Sequence, residues 1–292
     1  VDRTPGFERV LFGRSISFYE TTLEEWNDGV LRPLSKPADA RLNLWKGHAL
    51  LELRSAARLG GVDWPAGALL AAPASWVGAS AGTDAGLPGD AGLVPWVPLF
   101  LPSPTEALEG YDCTRDTVLL QILDSVVGRI EEWREPDAPG GAWARRIVPQ
   151  PTPSTLAVSA WHDPMVAGDA WADAYTVVRS GYLEPPTRWL HRAGSVDATR
   201  LHGLASQFDS SGLVVEQAFA RSADGTRVPY FVVGPASQPA HPLPTLLYGY
   251  GGFEISLTPG YSASVGRGWL SRGGRYAVAN IRGGGEFGPA WH

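Results

Sequence analysis

Along most of the chain the apolar positions come in short runs rich in β-branched and aromatic residues, broken by Gly, Pro and Asp. Examples are Val10-Leu11-Phe12, Ala49 to Leu53, Gly67 to Ala72, Val118 to Leu123, Thr155 to Ala160 and Tyr175 to Val178. Helical spacing is sustained almost nowhere, and closely spaced strands with turn signals predict a sandwich, barrel or propeller. Ser125 to Ile130, and Ser180 to Leu183 with Arg188 to Leu190, read as outer strands of blades. A blade takes about 40–50 residues, so residues 1–208 are expected to form a partial β-propeller of about four to five blades.

The texture changes at the polar turn Phe208-Asp209-Ser210-Ser211, and the domain boundary is placed between 208 and 209. Beyond it, Leu213 to Ala220 and Val228 to Val233 flank Ser222-Ala223-Asp224-Gly225-Thr226, and Asp-Gly between two apolar β runs predicts a hairpin. A strand at Thr245 to Tyr248, a glycine loop at Gly249 to Gly252, a helical segment within Ser262 to Arg272 and a second strand at Tyr276 to Ile281 follow in order. Strand, loop, helix, strand is how an α/β domain with parallel strands opens.

Composition narrows the function. The 292 residues carry 30 acidic and 24 basic side chains, a formal charge of −6, with no block of like charges to meet nucleic acid or an anionic membrane. No apolar run approaches the ~18 residues of a membrane span. The single cysteine, Cys113, excludes an intrachain disulfide or a cysteine zinc site and reads as a buried thiol. The chain opens on Val1-Asp2-Arg3-Thr4 and stops at Trp291-His292 just after a glycine loop, which reads as an internal piece of a longer protein. With no signal-peptide pattern, the expected location is cytoplasmic.

Three glycine words carry candidate chemistry. Gly78-Ala79-Ser80-Ala81-Gly82 matches a nucleophile elbow, but the Gly, Pro and Asp after it cannot start the helix such an elbow requires, so Ser80 is set aside. Gly283 to Gly288 matches G-x-G-x-x-G after a strand, yet the helix and acidic residue that would confirm dinucleotide binding are not in the sequence. The third word, Tyr248-Gly249-Tyr250-Gly251-Gly252-Phe253, follows a strand at once. Glycine there allows close backbone approach to a developing oxyanion, and Tyr250 adds a phenolic donor; equally, both tyrosines could simply pack.

The stretch Leu246 to Pro259, then Tyr261-Ser262, Ala277 to Gly288 and Trp291-His292, about 45 residues in all, closely resembles the prolyl oligopeptidase family of serine peptidases. Weaker similarity reaches back through Ser222 to Phe231. The resemblance implies that residues 1–208 are later propeller blades and residues 209–292 the beginning of an α/β-hydrolase catalytic domain. It also implies that Tyr250 donates to the oxyanion and that Phe253 lines the pocket for a proline ring; Arg282 and Glu286, on the loop after the second strand, read as an ion pair or a brace of that loop. The family's substrates are short proline-containing peptides, cleaved through an acyl-enzyme with no metal or organic cofactor.

The family's serine lies on a Gly-Gly-Ser-x-Gly-Gly elbow downstream of the Trp-His word, and its acid and base follow later. None of the three is in this chain, and none of the six histidines is the base. The chain is therefore expected to be inactive alone and to work with the remainder of its own parent. Two rivals stand beside the peptidase: a non-catalytic propeller module that binds peptides or proteins, and an esterase on the same hydrolase fold.

Overall fold

A computed structural model describes residues 2–77, 96–137, 141–150, 154–237 and 241–292. The elbow-like word around Ser80 lies outside them. The chain divides into two compact units, Val1–Ser103 with Asp163–Ala172, and Pro104–His162 with Asp173–His292.

In the first unit β1 (Val10–Ser15), β2 (Thr21–Asn27) and β3 (Val30–Leu34) form an antiparallel three-stranded sheet. A second sheet follows from β4 (Arg41–Trp45) and β5 (His48–Glu52), which a small hairpin of β6 (Ala57–Leu59) and β7 (Val62–Trp64) separates in sequence from β8 (Leu69–Pro73) and β9 (Val97–Phe100). Its order is β4-β5-β8-β9. Leu51, Leu53, Leu70 and Trp96 are buried between these strands, with Leu11 and Leu23 packed against them.

The second unit starts with two four-stranded meanders. One contains β10 (Glu106–Cys113), β11 (Thr117–Asp124), β12 (Val127–Arg134) and β13 (Ala144–Val148); the other contains β14 (Thr155–Ala160), β15 (Ala174–Ser180), β16 (Thr187–Arg192) and β17 (Ala198–Gly203). Sequential up-and-down sheets of this kind are the form a propeller blade takes. They meet through Leu119, Ile130, Leu156, Tyr175 and Val177. Two adjacent buried carboxylates on β12 have cross-strand arginine partners: Arg145 is bidentate to Glu131 at 2.6 and 2.7 Å, and Arg146 is bidentate to Glu132 at 2.8 and 2.9 Å. Burial alone would raise the Glu131 carboxyl, but hydrogen bonds from Arg145 and Trp133 together with the charges of Arg145 and Arg129 hold it below its ordinary value. Glu132 also accepts from the Tyr175 hydroxyl at 2.7 Å and the Gly194 amide at 2.8 Å, so it ties one meander to the other.

Two strand expectations need correcting. Ser125 and Val126 are not strand: they form the two-residue turn between β11 and β12, with φ of 50° and 72°. A β-branched residue at positive φ is disfavoured, and the reason it is tolerated is visible. Val126 is fully buried in a core with Tyr182, Phe208, Phe231 and Val278. Gly181 to Leu183 is likewise a turn, closed by the Gly181 amide donating to the Glu184 carbonyl at 3.0 Å.

Between Gly203 and Leu213 the chain leaves the meanders for a mixed sheet. β18 (Leu213–Arg221) and β19 (Arg227–Pro235) form the hairpin expected around Asp224-Gly225, and β20 (Thr245–Gly249) and β21 (Arg275–Ala279) complete the order β18-β19-β21-β20. β20 and β21 are parallel, joined by a crossover containing α1 (Ala263–Gly268). α1 is shorter than the sequence suggested. Ser262 caps it by accepting from the Val265 amide at 3.3 Å, and after Trp269 a 3-10 turn, Leu270–Arg272, stops at Gly273 in the left-handed region at φ 83°. β20 lies at the sheet edge with all its residues exposed, Leu247 at 70%.

α1 carries a glycine at its closest approach to the core: a Cβ on Gly266 would fall inside the Phe208 ring, whereas one on Gly268 meets nothing within 4 Å. Gly266→Ala is therefore expected to lower unfolding free energy by about 1–3 kcal/mol through overpacking. Gly268→Ala should be neutral or stabilising by up to about 1 kcal/mol. Urea denaturation of both variants checks this, and equal effects would contradict the packing described.

Candidate functional site

Because β20 and β21 run in parallel, the loops that leave their C-terminal ends emerge side by side, the usual place for a site in an open α/β sheet. Register pairs Gly249 with Ala279. From there the two backbones stay in contact. A Cβ on Gly251 would collide with the Arg282 carbonyl, and one on Gly283, which has φ 97°, would collide with the Gly251 carbonyl. Only glycine fits either position.

On this support the chain turns outward. Tyr250 is 36% exposed, its phenol oxygen curled over Gly252 so that a Cβ there would lie 3.2 Å away. Phe253 is 67% exposed and, with Glu254, takes left-handed φ of 56° and 55°. Two consecutive non-glycine residues in that region cost about 1–3 kcal/mol each and persist only where neighbouring structure enforces them.

The enforcement comes from the strap that follows. Leu257 donates its amide to Glu286 Oε1 at 2.9 Å and its carbonyl accepts from Asn280 Nδ2 at 2.7 Å, while Asn280 Nδ2 also donates to Glu286 Oε1 at 3.1 Å. Ser256 donates to Glu109 of β10 at 3.0 Å, Thr155 of β14 donates to the Pro259 carbonyl at 2.6 Å, and the Tyr261 hydroxyl accepts from the Gln207 amide at 2.6 Å. Burial raises the Glu109 carboxyl, the Ser256 hydrogen bond opposes that rise and nearby Glu286 adds to it.

Arg282 and Glu286 do not pair with each other. Arg282 reaches back to the β18–β19 turn, where it meets the Asp224 carboxylate, Thr226 Oγ1 at 3.2 Å and Ser222 Oγ at 3.0 Å. The Thr226 amide first, and Arg282 second, hold the Asp224 carboxyl far below its ordinary value. Glu286 points inward, fully buried, to Leu257 and Asn280. Charges four apart invite a pairing that this loop, which is not helical, does not bring about. His292 donates from Nδ1 to the Gly283 carbonyl at 2.9 Å and so closes the second loop.

Asn280 was not singled out from sequence. Its signal was there: an amide inside the apolar run Ala277 to Ile281, at the end of a strand where burial demands a partner. Cys113 lies partly buried on β10, and burial followed by the Asp112 carboxylate pushes its thiol well above the ordinary value, which disqualifies it as a nucleophile at neutral pH. Among the described residues no group of three or more His, Cys, Asp or Glu could hold a metal ion, and no helix is long and apolar enough to cross a membrane.

The interlocked glycines make a stability prediction. Gly251→Ala and Gly283→Ala are each expected to destabilise by about 1–3 kcal/mol. Since both would break one contact, the double variant should cost less than the sum by at least about 0.5 kcal/mol. Additive losses in chemical denaturation would mean the two loops are independent.

No protein-family profile matches the chain. An uncharacterised peptidase of Sinorhizobium fredii is 33% identical over 294 residues, covering 96% of this chain and 37% of that protein. A prolyl endopeptidase of Elizabethkingia miricola is 40% identical over 114 residues, 39% of this chain and 16% of its own length. Among solved structures, a post-proline cleaving enzyme from Rickettsia typhi matches with a TM-score of 0.81 and 26% identity, covering 97% of this chain and 39% of the enzyme. The chain thus spans well under half the length of each of these proteins. Relatives by sequence and neighbours by structure both point to the prolyl oligopeptidase family of peptidases.

Proposed function

We propose that the chain is part of a serine-type prolyl oligopeptidase that hydrolyses short peptides on the carboxyl side of proline. The observation that carries this reading is the pairing of an outward phenol, Tyr250, with an exposed aromatic ring, Phe253, on one glycine loop at the C-terminal end of a parallel strand pair. The names of the relatives, a prolyl endopeptidase and a post-proline cleaving enzyme, support it.

In this reading residues 209–292 begin an α/β-hydrolase catalytic domain and residues 1–208 are blades of a propeller that admits only short chains. A serine from the remainder of the parent chain, activated by a histidine that an aspartate orients, attacks the carbonyl carbon of the proline residue. Negative charge gathers on the former carbonyl oxygen, and the Tyr250 hydroxyl donates to it. A donor of this kind contributes most in the transition state and is worth about 2.7–4 kcal/mol of activation free energy. Phe253 presents an apolar face on which the proline ring rests. Collapse of the tetrahedral species releases the amine, and water then hydrolyses the acyl-enzyme. Arg282 and Glu286 act as braces, each on its own partner. The exposed edge of β20 supports the same reading, since Leu246, Leu247 and Tyr248 stand where a further strand of a larger sheet would cover them.

Tyr250→Phe in the full-length parent is expected to lower kcat on a chromogenic prolyl peptide by about 10²–10³. A kcat within about twofold of wild type, an effect far short of a lost oxyanion donor, removes Tyr250 from that role. The 292-residue chain alone should turn over neither the peptide nor an aryl ester, because its sequence has no match to the family's elbow serine, acid or base. Turnover of esters but not prolyl amides by the parent would favour an esterase instead.

A further inference from the structure

Asn280 and Glu286 grip one residue, Leu257, by both of its backbone groups. Their side chains are fully buried, and the contacts close a triangle: the Leu257 amide to Glu286 Oε1 at 2.9 Å, Asn280 Nδ2 to the Leu257 carbonyl at 2.7 Å, and Asn280 Nδ2 to Glu286 Oε1 at 3.1 Å. Leu257 is not in a strand, so these side chains supply what a neighbouring strand would otherwise give.

The consequence is mechanical. The segment from Gly251 to Leu257 contains two glycines and the two left-handed residues Phe253 and Glu254. Its first end is fixed where Gly251 meets Arg282 and Gly283. Were the second end loose, Phe253 and Glu254 could relax to negative φ and shift Gly252, the residue over which the Tyr250 phenol lies. Pinning Leu257 removes that freedom. Resting on the reading of Tyr250 as oxyanion donor, we infer that Asn280 and Glu286 are positioning residues for the Tyr250–Phe253 loop: they touch no substrate and act by holding the donor where charge develops.

What the grip needs from Glu286 is an acceptor. Among the described residues Glu286 Oε1 takes both hydrogen bonds and Oε2 has no hydrogen-bond partner, so a glutamine can replace it where an alanine cannot. This separates positioning from a requirement for charge.

The test uses the full-length parent with Asn280→Ala, Glu286→Ala and Glu286→Gln, each with native Tyr250 and with Tyr250→Phe. Misplacing a catalytic group by about 1 Å can cost about 10²-fold, and the alanine variants are expected to lose at least about tenfold in kcat on a prolyl peptide while Tyr250 is present. In the Tyr250→Phe background the same changes should cost less than about threefold, because the donor they position is already gone. Glu286→Gln should stay within about threefold of wild type. Equal losses in both backgrounds, or folded alanine variants with unchanged kcat, overturn the inference. Should Glu286→Ala fail to fold, Asn280→Ala and Glu286→Gln carry the comparison.

A second readout is independent of activity. Hydrogen exchange by mass spectrometry is expected to speed up in peptides covering residues 250–257 when Asn280 or Glu286 is changed to alanine, and unchanged exchange there overturns the grip. A wild-type parent inactive on prolyl peptides would sink the proposed function, while exchange would still decide whether the loop is held in this way.

Discussion

Two peptide backbones in direct contact set the geometry of the site. Gly251 lies against the Arg282 carbonyl and Gly283 against the Gly251 carbonyl, with no side chain able to come between. The contact exists because two parallel strands deliver their outgoing loops to the same edge, and because glycine lets them approach closer than any other residue would. The side chains of the proposed site hang from it. Tyr250 precedes the contact, Phe253 follows it, and Arg282 anchors its far side to the β18–β19 turn.

The second unit supports that edge from several directions. Val126 accepts a costly backbone angle to fill the core beneath the mixed sheet, and Glu109 and Thr155 each hold a point of the strap after Phe253. In the meanders, the buried carboxylates of Glu131 and Glu132 are held by the more exposed Arg145 and Arg146. Losing either arginine would strand a buried carboxylate. These pairs fix which strand and which sheet meet.

Local chemistry was legible in the sequence and distant pairing was not. Asp224-Gly225 announces its hairpin, and the parallel strand pair follows from two apolar runs around a glycine loop and a short helix. The turn at Ser125-Val126 was hidden, since a valine at positive φ looks like strand until the core that rewards it is seen. The grip on Leu257 was hidden for a related reason. Leu257 lies 23 residues from Asn280 and 29 from Glu286, and Arg282 and Glu286, four apart in sequence, invited a pairing with each other when their partners lay at Asp224 and Leu257.

Among the described residues no strand pairs with the outer side of β20, which carries three exposed apolar side chains along that border of the mixed sheet. Such a border is a template to which any extended chain can add by main-chain hydrogen bonding. Produced by itself, this polypeptide is therefore prone to clump, and a charged residue in place of Leu247 is the natural gatekeeper for keeping it in solution.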